Sequence, residues 1–277
     1  MKMSNADNLL YTTVRIEAKN NNNGASVGTG FFYELHKNDA GTMPIIVTNK
    51  HVVENSISCS FHMNYRIDDV PYNIKSQISL DASYNEVWHP HPNPQIDLCF
   101  MYAGGIIKKC EEKSGITPYY IPIQESLIIP PEKVFEYDAL EDVIMVGYPS
   151  GLWDSFNNTP IIRKGITATP IYYDYLGKPE FLTDIAVFPG SSGSPVFLYN
   201  NGIYASKNEK PTLGYRLRFL GILYSGFMFD ASGEIKTVNP ITDNMLRVNT
   251  QIPMNLGVVI KATELLEFKN IAIPPVI

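Results

Sequence analysis

The stretch Phe188-Pro189-Gly190-Ser191-Ser192-Gly193-Ser194-Pro195-Val196-Phe197 decides how this chain is read. A glycine-flanked turn feeds directly into an apolar, strand-like run, so a serine at its centre is held on a short, rigid loop. Gly190 permits a backbone conformation that aims successive N–H groups to one side, which makes the Gly190 and Ser192 amides candidate donors to an oxyanion. A Ser/Gly-rich turn alone is an ordinary hairpin. The complete G-x-S-G-x-P string ahead of a strand is more specific and marks Ser192 as a candidate nucleophile.

A serine nucleophile needs a base to take its proton and an acid to orient that base. The run Ile45-Ile46-Val47-Thr48-Asn49-Lys50-His51-Val52-Val53 reads as a buried strand that ends in small polar residues and a histidine. A lone histidine there is as readily structural. The segment Ile96-Asp97-Leu98-Cys99-Phe100-Met101 changes the weighing, because one acid opens an otherwise apolar run. Burying an unpaired carboxylate is costly, so Asp97 calls for a partner, and His51 is an economical one. Read in isolation, Asp97 is equally a strand-end cap.

Around these segments the chain is an ordinary globular sequence. With 277 residues, 44% hydrophobic and 18% charged, it has enough apolar surface for a sizeable core and is neither disordered nor highly solvated. A net charge of −6 gives no broad attraction to phosphate backbones or anionic lipid, so neither nucleic acid nor membrane is expected as a partner. Cys59, Cys99 and Cys110 are odd in number and lack metal-ligand spacing, which suggests buried thiols in a reducing compartment. No apolar leader or membrane-length run is present, and cytoplasmic localisation is the expectation.

Strand-like runs separated by Gly, Pro, Asn and Asp clusters dominate: 12–17, 30–35, 45–49, 97–102, 142–147, 194–198, 217–225 and 257–261. The one helix expected is the C-terminal stretch 262–268. The proline-rich stretch 115–131 divides the chain into halves, each with strands for a small barrel, and Asn20–Gly24 reads as a hairpin tip. Two polar stretches, 205–212 and 229–255, read as long loops fit for contact with other molecules. His89 and His91 stand among prolines without nearby carboxylates, so they read as a loop leading to Asp97, and neither a metal nor another cofactor is called for.

Taken together, these segments resemble the trypsin-like serine peptidases, closest to the bacterial HtrA/Deg-like protease domain without a PDZ domain. The order His51, Asp97, Ser192 and its spacings carry the resemblance. The T-x-x-H-V element matches Thr48–Val52, the D-[IL]-[AC] strand matches Asp97–Cys99, and T-D-x-x-x-x-P-G-x-S-G-x-P matches Thr183–Pro195. Gly28-Thr29-Gly30-Phe31, Val146-Gly147-Tyr148-Pro149, Leu220-Gly221-Ile222 and Gly257-Val258-Val259-Ile260 align with supporting strands. The match runs over about residues 9 to 268.

The resemblance implies an all-β fold: two perpendicular six-stranded β-barrels in a single peptidase domain, 1–277, with the first barrel at about 9–115 and the second at about 132–268. It further implies a serine endopeptidase in which His51 is the general base, Asp97 orients it and Ser192 forms an acyl-enzyme. Secreted zymogens of the family carry Asp before the nucleophile to pair with a newly cut N-terminus. Here Ser191 stands there, so that activation is not expected, and Ser194 replaces a commoner Gly. By the same resemblance Ala186 lies at the base of the substrate pocket and Leu223-Tyr224-Ser225 along its wall. That suggests small or medium apolar residues before the scissile bond in a protein or peptide substrate, with Asp184 leaving a basic preference as the lesser alternative. The rival reading is a silent or latent trypsin-fold binding module, switched by a regulatory protein partner. A sandwich-type ligand module fits the aromatics but leaves the motifs unexplained.

Overall fold

The computed structural model describes residues 3–21, 24–36, 42–67, 70–207, 209–234 and 247–271. Runs of alternating or continuous apolar residues form strands, and they gather into two antiparallel sheets in chain order. The first sheet holds β1 (Thr13–Asn20), β2 (Ala25–His36), β3 (Thr42–Thr48), β4 (Ser56–Ile67), β5 (Val70–Leu80), β6 (His89–Pro90), β7 (Cys99–Tyr102) and β8 (Pro118–Tyr119). The second holds β9 (Asp142–Gly147), β10 (Ile161–Thr167), β11 (Glu180–Asp184), β12 (Pro195–Tyr204), β13 (Thr212–Glu234) and β14 (Arg247–Lys261).

The second sheet closes on itself as a six-stranded barrel in the order β10-β11-β14-β13-β12-β9. The first runs β5-β4-β1-β2-β3-β7-β6, with β8 added on β4. The all-β class expected from the sequence holds. The first sheet has eight strands where six were expected, because two-residue pairings at His89–Pro90 and Pro118–Tyr119 add to it.

Three apolar clusters explain how the halves meet. One lies within the first sheet around Phe61, Tyr65 and Cys99, and one within the barrel around Val143, Phe181 and Val259. The largest spans both, packing Phe31, Val47 and Phe100 against Ile144, Phe197, Phe219 and Phe268. Phe219 meets Phe31 edge-on at 5.6 Å and Phe197 at 5.4 Å. Burying one such ring contributes about 1.5–3 kcal/mol, so this junction fixes the halves at the ends of β3, β7 and β12 where the candidate residues sit.

Four short α-helices decorate the sheets among the described residues: α1 (Asn5–Leu9), α2 (Lys50–Val53), α3 (Tyr84–Val87) and α4 (Gly104–Ser114). α4 was not expected; its Ile106 and Cys110 are buried against the first sheet. The expected C-terminal helix is a 3-10 helix over Ala262–Asn270, and its Leu265 and Phe268 enter the shared core. Of the two polar stretches expected as loops, 205–212 holds no strand among its described residues before Thr212 and links β12 to β13, whereas 229–255 is strand wherever it is described. Tyr204 pairs with Thr212, and Phe229 pairs with Ile252 in a long ribbon of β13 and β14, while 235–246 lie outside the described residues.

Candidate active site

His51 sits on the one-turn α2 directly after β3, and Asp97 lies two residues before the start of β7, which pairs with β3 from Ile45↔Tyr102 to Thr48↔Cys99. That pairing brings the two side chains together. Asp97 Oδ2 lies 2.5 Å from His51 Nδ1, and Asp97 Oδ1 accepts from the His51 backbone N–H at 3.2 Å. A carboxylate only accepts, so Nδ1 carries the proton and Nε2 is left as the basic nitrogen. The buried Asn49 side chain donates to the Asp97 carbonyl at 2.7 Å, which ties the acid's backbone to the same strand end.

Ser192 lies on the turn between β11 and β12. Gly193 N–H donates to the Leu223 carbonyl at 2.8 Å, Ser191 N–H to Phe188 at 3.0 Å and Ser194 N–H to Ser191 at 3.0 Å. The Gly190 and Ser192 amides bond no acceptor among the described residues. These are the two amides the sequence marked as oxyanion donors. Gly190 and Gly193 adopt φ of +83° and +84°, and a Cβ on Gly193 would stand 1.9 Å from the Thr29 carbonyl oxygen, so glycine is required there. The Ser192 hydroxyl donates to the Tyr224 carbonyl at 3.4 Å rather than to His51.

The turn is gripped from the first sheet by Thr29 of β2. Its N–H donates to the Ser192 carbonyl at 2.9 Å, and its hydroxyl donates to the Gly190 carbonyl at 3.2 Å. The same hydroxyl accepts from Tyr148 N–H at 3.1 Å and from the Ser194 hydroxyl at 3.2 Å, filling both lone pairs. Ser150 N–H donates to the Pro189 carbonyl, and Arg15 reaches across from β1 to the Gly151 carbonyl at 3.3 Å while stacking 4.1 Å over Trp153. Arg15 also pairs with Glu17 and donates to His62 at 3.3 Å. Burial pushes His62 below the ordinary histidine value, with Arg15 adding to this and Glu17 opposing it.

Beneath the turn, Arg163 of β10 donates through Nη1 to the Ala186 carbonyl at 2.7 Å and to the Ser191 hydroxyl at 2.9 Å. Burial pushes its guanidinium down to about 10. Neither Thr29 nor Arg163 announced such a role in sequence. Thr29 lies within the quoted Gly28–Phe31 element, but nothing in the run Ile161-Ile162-Arg163-Lys164 indicates what Arg163 meets.

A pocket of about 170 Å³ opens beside Ser192, lined by Val187, Phe188, Pro189, Leu223, Ser225, Gly226, Phe227 and Met228. Leu223 and Ser225 were expected in its wall. Ala186 and Tyr224 do not line it: the Ala186 carbonyl turns to Arg163, and the Tyr224 hydroxyl donates to Glu180 at 3.0 Å.

A family model described as the trypsin-like peptidase domain matches residues 28–203. The chain belongs to the trypsin-like peptidase family. This trypsin-like peptidase is similar in structure to the Rv3671c protease from M. tuberculosis in its active form, at 17% identity and a TM-score of 0.46, over 97% of this chain and 84% of that one. It is also similar to the HtrA-type protease AlgW with tripeptide, at 13% identity and a TM-score of 0.48, over 95% of this chain but only 60% of the other. A third likeness is to tobacco etch virus protease complexed with product, at 11% identity and a TM-score of 0.46, over 82% of this chain and 72% of that one. No curated protein matches the sequence.

Proposed function

We propose that this peptidase is a serine endopeptidase in which Ser192 is the nucleophile, His51 the general base and Asp97 the acid that orients it. One observation carries the reading: over Gly190–Ser194 the amides of Gly190 and Ser192 bond nothing among the described residues, while those of Ser191, Gly193 and Ser194 donate to Phe188, Leu223 and Ser191. Such a pair is the donor set that a tetrahedral oxyanion requires. His51 Nε2 takes the Ser192 proton as the hydroxyl attacks the peptide carbonyl, and then passes it to the leaving amine. Water, deprotonated by the same imidazole, releases the acyl group from Ser192. Asp97 keeps Nδ1 protonated and stabilises the imidazolium. The two halves, about 9–115 and 132–268, then act as one domain with the reacting groups at their junction.

The apolar pocket walls, Val187, Leu223, Phe227 and Met228, support small or medium apolar side chains of a protein or peptide substrate before the scissile bond. Three buried, unpaired thiols, Cys59, Cys99 and Cys110, support a reducing, cytoplasmic setting.

The second reading is a latent enzyme that a protein partner switches on. It is favoured by the Ser192 hydroxyl bonding the Tyr224 carbonyl instead of His51. Rotation of one serine side chain separates that arrangement from a productive one, and such contacts commonly tighten only with substrate bound. The test is peptide hydrolysis by wild type, His51→Ala and Asp97→Asn. Both variants are expected to lose several orders of magnitude in kcat, because such a triad acts as a unit. A His51→Ala rate close to wild type excludes His51 as base.

A further inference from the structure

Arg163 is an unusual residue to find inside a β-barrel. β10 alternates outward Ile162, Lys164 and Ile166 with half-buried Ile161, Arg163 and Gly165, so the guanidinium is turned inward. A large apolar side chain at such a position packs without cost, whereas an interior charge needs bonds to offset its desolvation. No Asp or Glu pairs with Arg163 among the described residues, and its buried Nε and Nη2 have no protein acceptor there. All the bonds it does make go to one short segment, the Ala186 carbonyl and the Ser191 hydroxyl. That segment carries the pocket wall, both candidate oxyanion amides and the nucleophile.

Ser191 is fully buried and is the residue between those two amides. Its hydroxyl accepts from Arg163 at 2.9 Å and from Phe188 N–H at 3.4 Å, which fills both lone pairs and fixes the side chain. The Ser191 side chain is thereby held from below by Arg163, while Thr29 holds the carbonyls of the residues on either side of it, Gly190 and Ser192, from above.

We propose that Arg163 is a positioning residue for the oxyanion turn: a charge built into β10 that sets the Gly190 and Ser192 amides through Ser191, with no cleavage of the chain required. This rests on the reading of Ser192 as nucleophile. A hydrogen bond from a charged donor contributes about 1.5–3 kcal/mol, so loss of the arm is expected to lower kcat about 10- to 100-fold.

The test uses the full chain as wild type, Arg163→Met, Arg163→Lys, Ser191→Ala, the double variant Arg163→Met/Ser191→Ala, and Lys164→Met as an outward-facing control. The measurements are hydrolysis of p-nitrophenyl butyrate, affinity for phenylboronic acid and fluorophosphonate labelling. Phenylboronic acid forms a tetrahedral adduct that needs the oxyanion donors, so its affinity is expected to fall with kcat while KM stays unchanged. Arg163→Lys should recover part of the loss, Lys164→Met should match wild type, and the double variant should lose less than the product of the single losses. Should Arg163→Met fail to fold, Ser191→Ala and Arg163→Lys carry the test. Wild-type labelling with unchanged kcat and boronate affinity in the Arg163 and Ser191 variants overturns the inference alone. An unlabelled wild type overturns the Ser192 reading and this inference with it.

Discussion

Replacing Thr29 by valine keeps the shape of the side chain and deletes one hydroxyl that serves three groups at once. Tyr148 N–H, the Gly190 carbonyl and the Ser194 hydroxyl each lose the partner that Thr29 supplies. Tyr148 and Ser194 are buried and Gly190 is half-buried, so water cannot freely replace what is lost. A buried polar group left unsatisfied costs about 1–3 kcal/mol. Ser194 can relax by rotating, so the two backbone groups dominate, for a total of about 2–6 kcal/mol. Against a typical stability of about 5–15 kcal/mol this is a large fraction. At about 2–4 °C per kcal/mol for a chain of this size class, the thermal midpoint should fall by roughly 5–20 °C. Ester hydrolysis should fall with it, because the Gly190 carbonyl belongs to the turn that presents the oxyanion donors. Thr29→Ser keeps the hydroxyl and should retain most of both. The assay is thermal unfolding by circular dichroism alongside steady-state kinetics. A Thr29→Val protein within about 0.5 kcal/mol of wild type, the range of ordinary surface substitutions, refutes the hub reading.

Two further outcomes follow from the same geometry. Sequencing the products of a peptide library should find Ala, Val, Leu and Met before the cut bond, as the lining by Val187, Leu223, Phe227 and Met228 requires; a profile dominated by Arg and Lys contradicts it. Acid should loosen the clamp around Arg15. His62 is held below its ordinary 6.5 by burial and by Arg15, while Glu17, pushed up by burial, is brought net below 4.5 by the hydrogen bond and charge of Arg15 and by His62. Both folded values lie under the unfolded ones, so this stability is present at neutral pH and is lost as pH falls, the His62 share below about 6.5 and the Glu17 share below about 4.5. The thermal midpoint should therefore drop between pH 7.5 and 5 and drop less in His62→Gln; an equal drop in both proteins refutes the assignment.

The sequence made the nucleophile turn, the histidine and the acid legible because each is a local pattern, a Gly-flanked serine before a strand or a polar residue at the end of an apolar run. Asp142–Gly147 and Cys99–Tyr102 follow from the same logic. β4 is also written plainly, as strict alternation through Ser56-Ile57-Ser58-Cys59-Ser60-Phe61, but a search for continuous apolar runs passes over it. α4 is masked by its opening Gly104-Gly105, poor helix formers that the first sheet's packing overrides. Arg163 and Thr29 were not legible as supports. Their roles depend on which backbone carbonyls the barrel brings within 3 Å or so, and no spacing along the chain encodes that. The pocket is a similar case: Ala186 fits an alignment, yet its carbonyl is drawn to Arg163, and Phe227 and Met228 of the β13 ribbon line the space instead.

The most direct measurement of the central claim is labelling of the purified full chain with a fluorophosphonate, followed by peptide mass spectrometry to locate the adduct. The account predicts one adduct, on Ser192, that disappears in Ser192→Ala and is strongly slowed in His51→Ala. An adduct on any other residue, or equal labelling of Ser192→Ala, would contradict it.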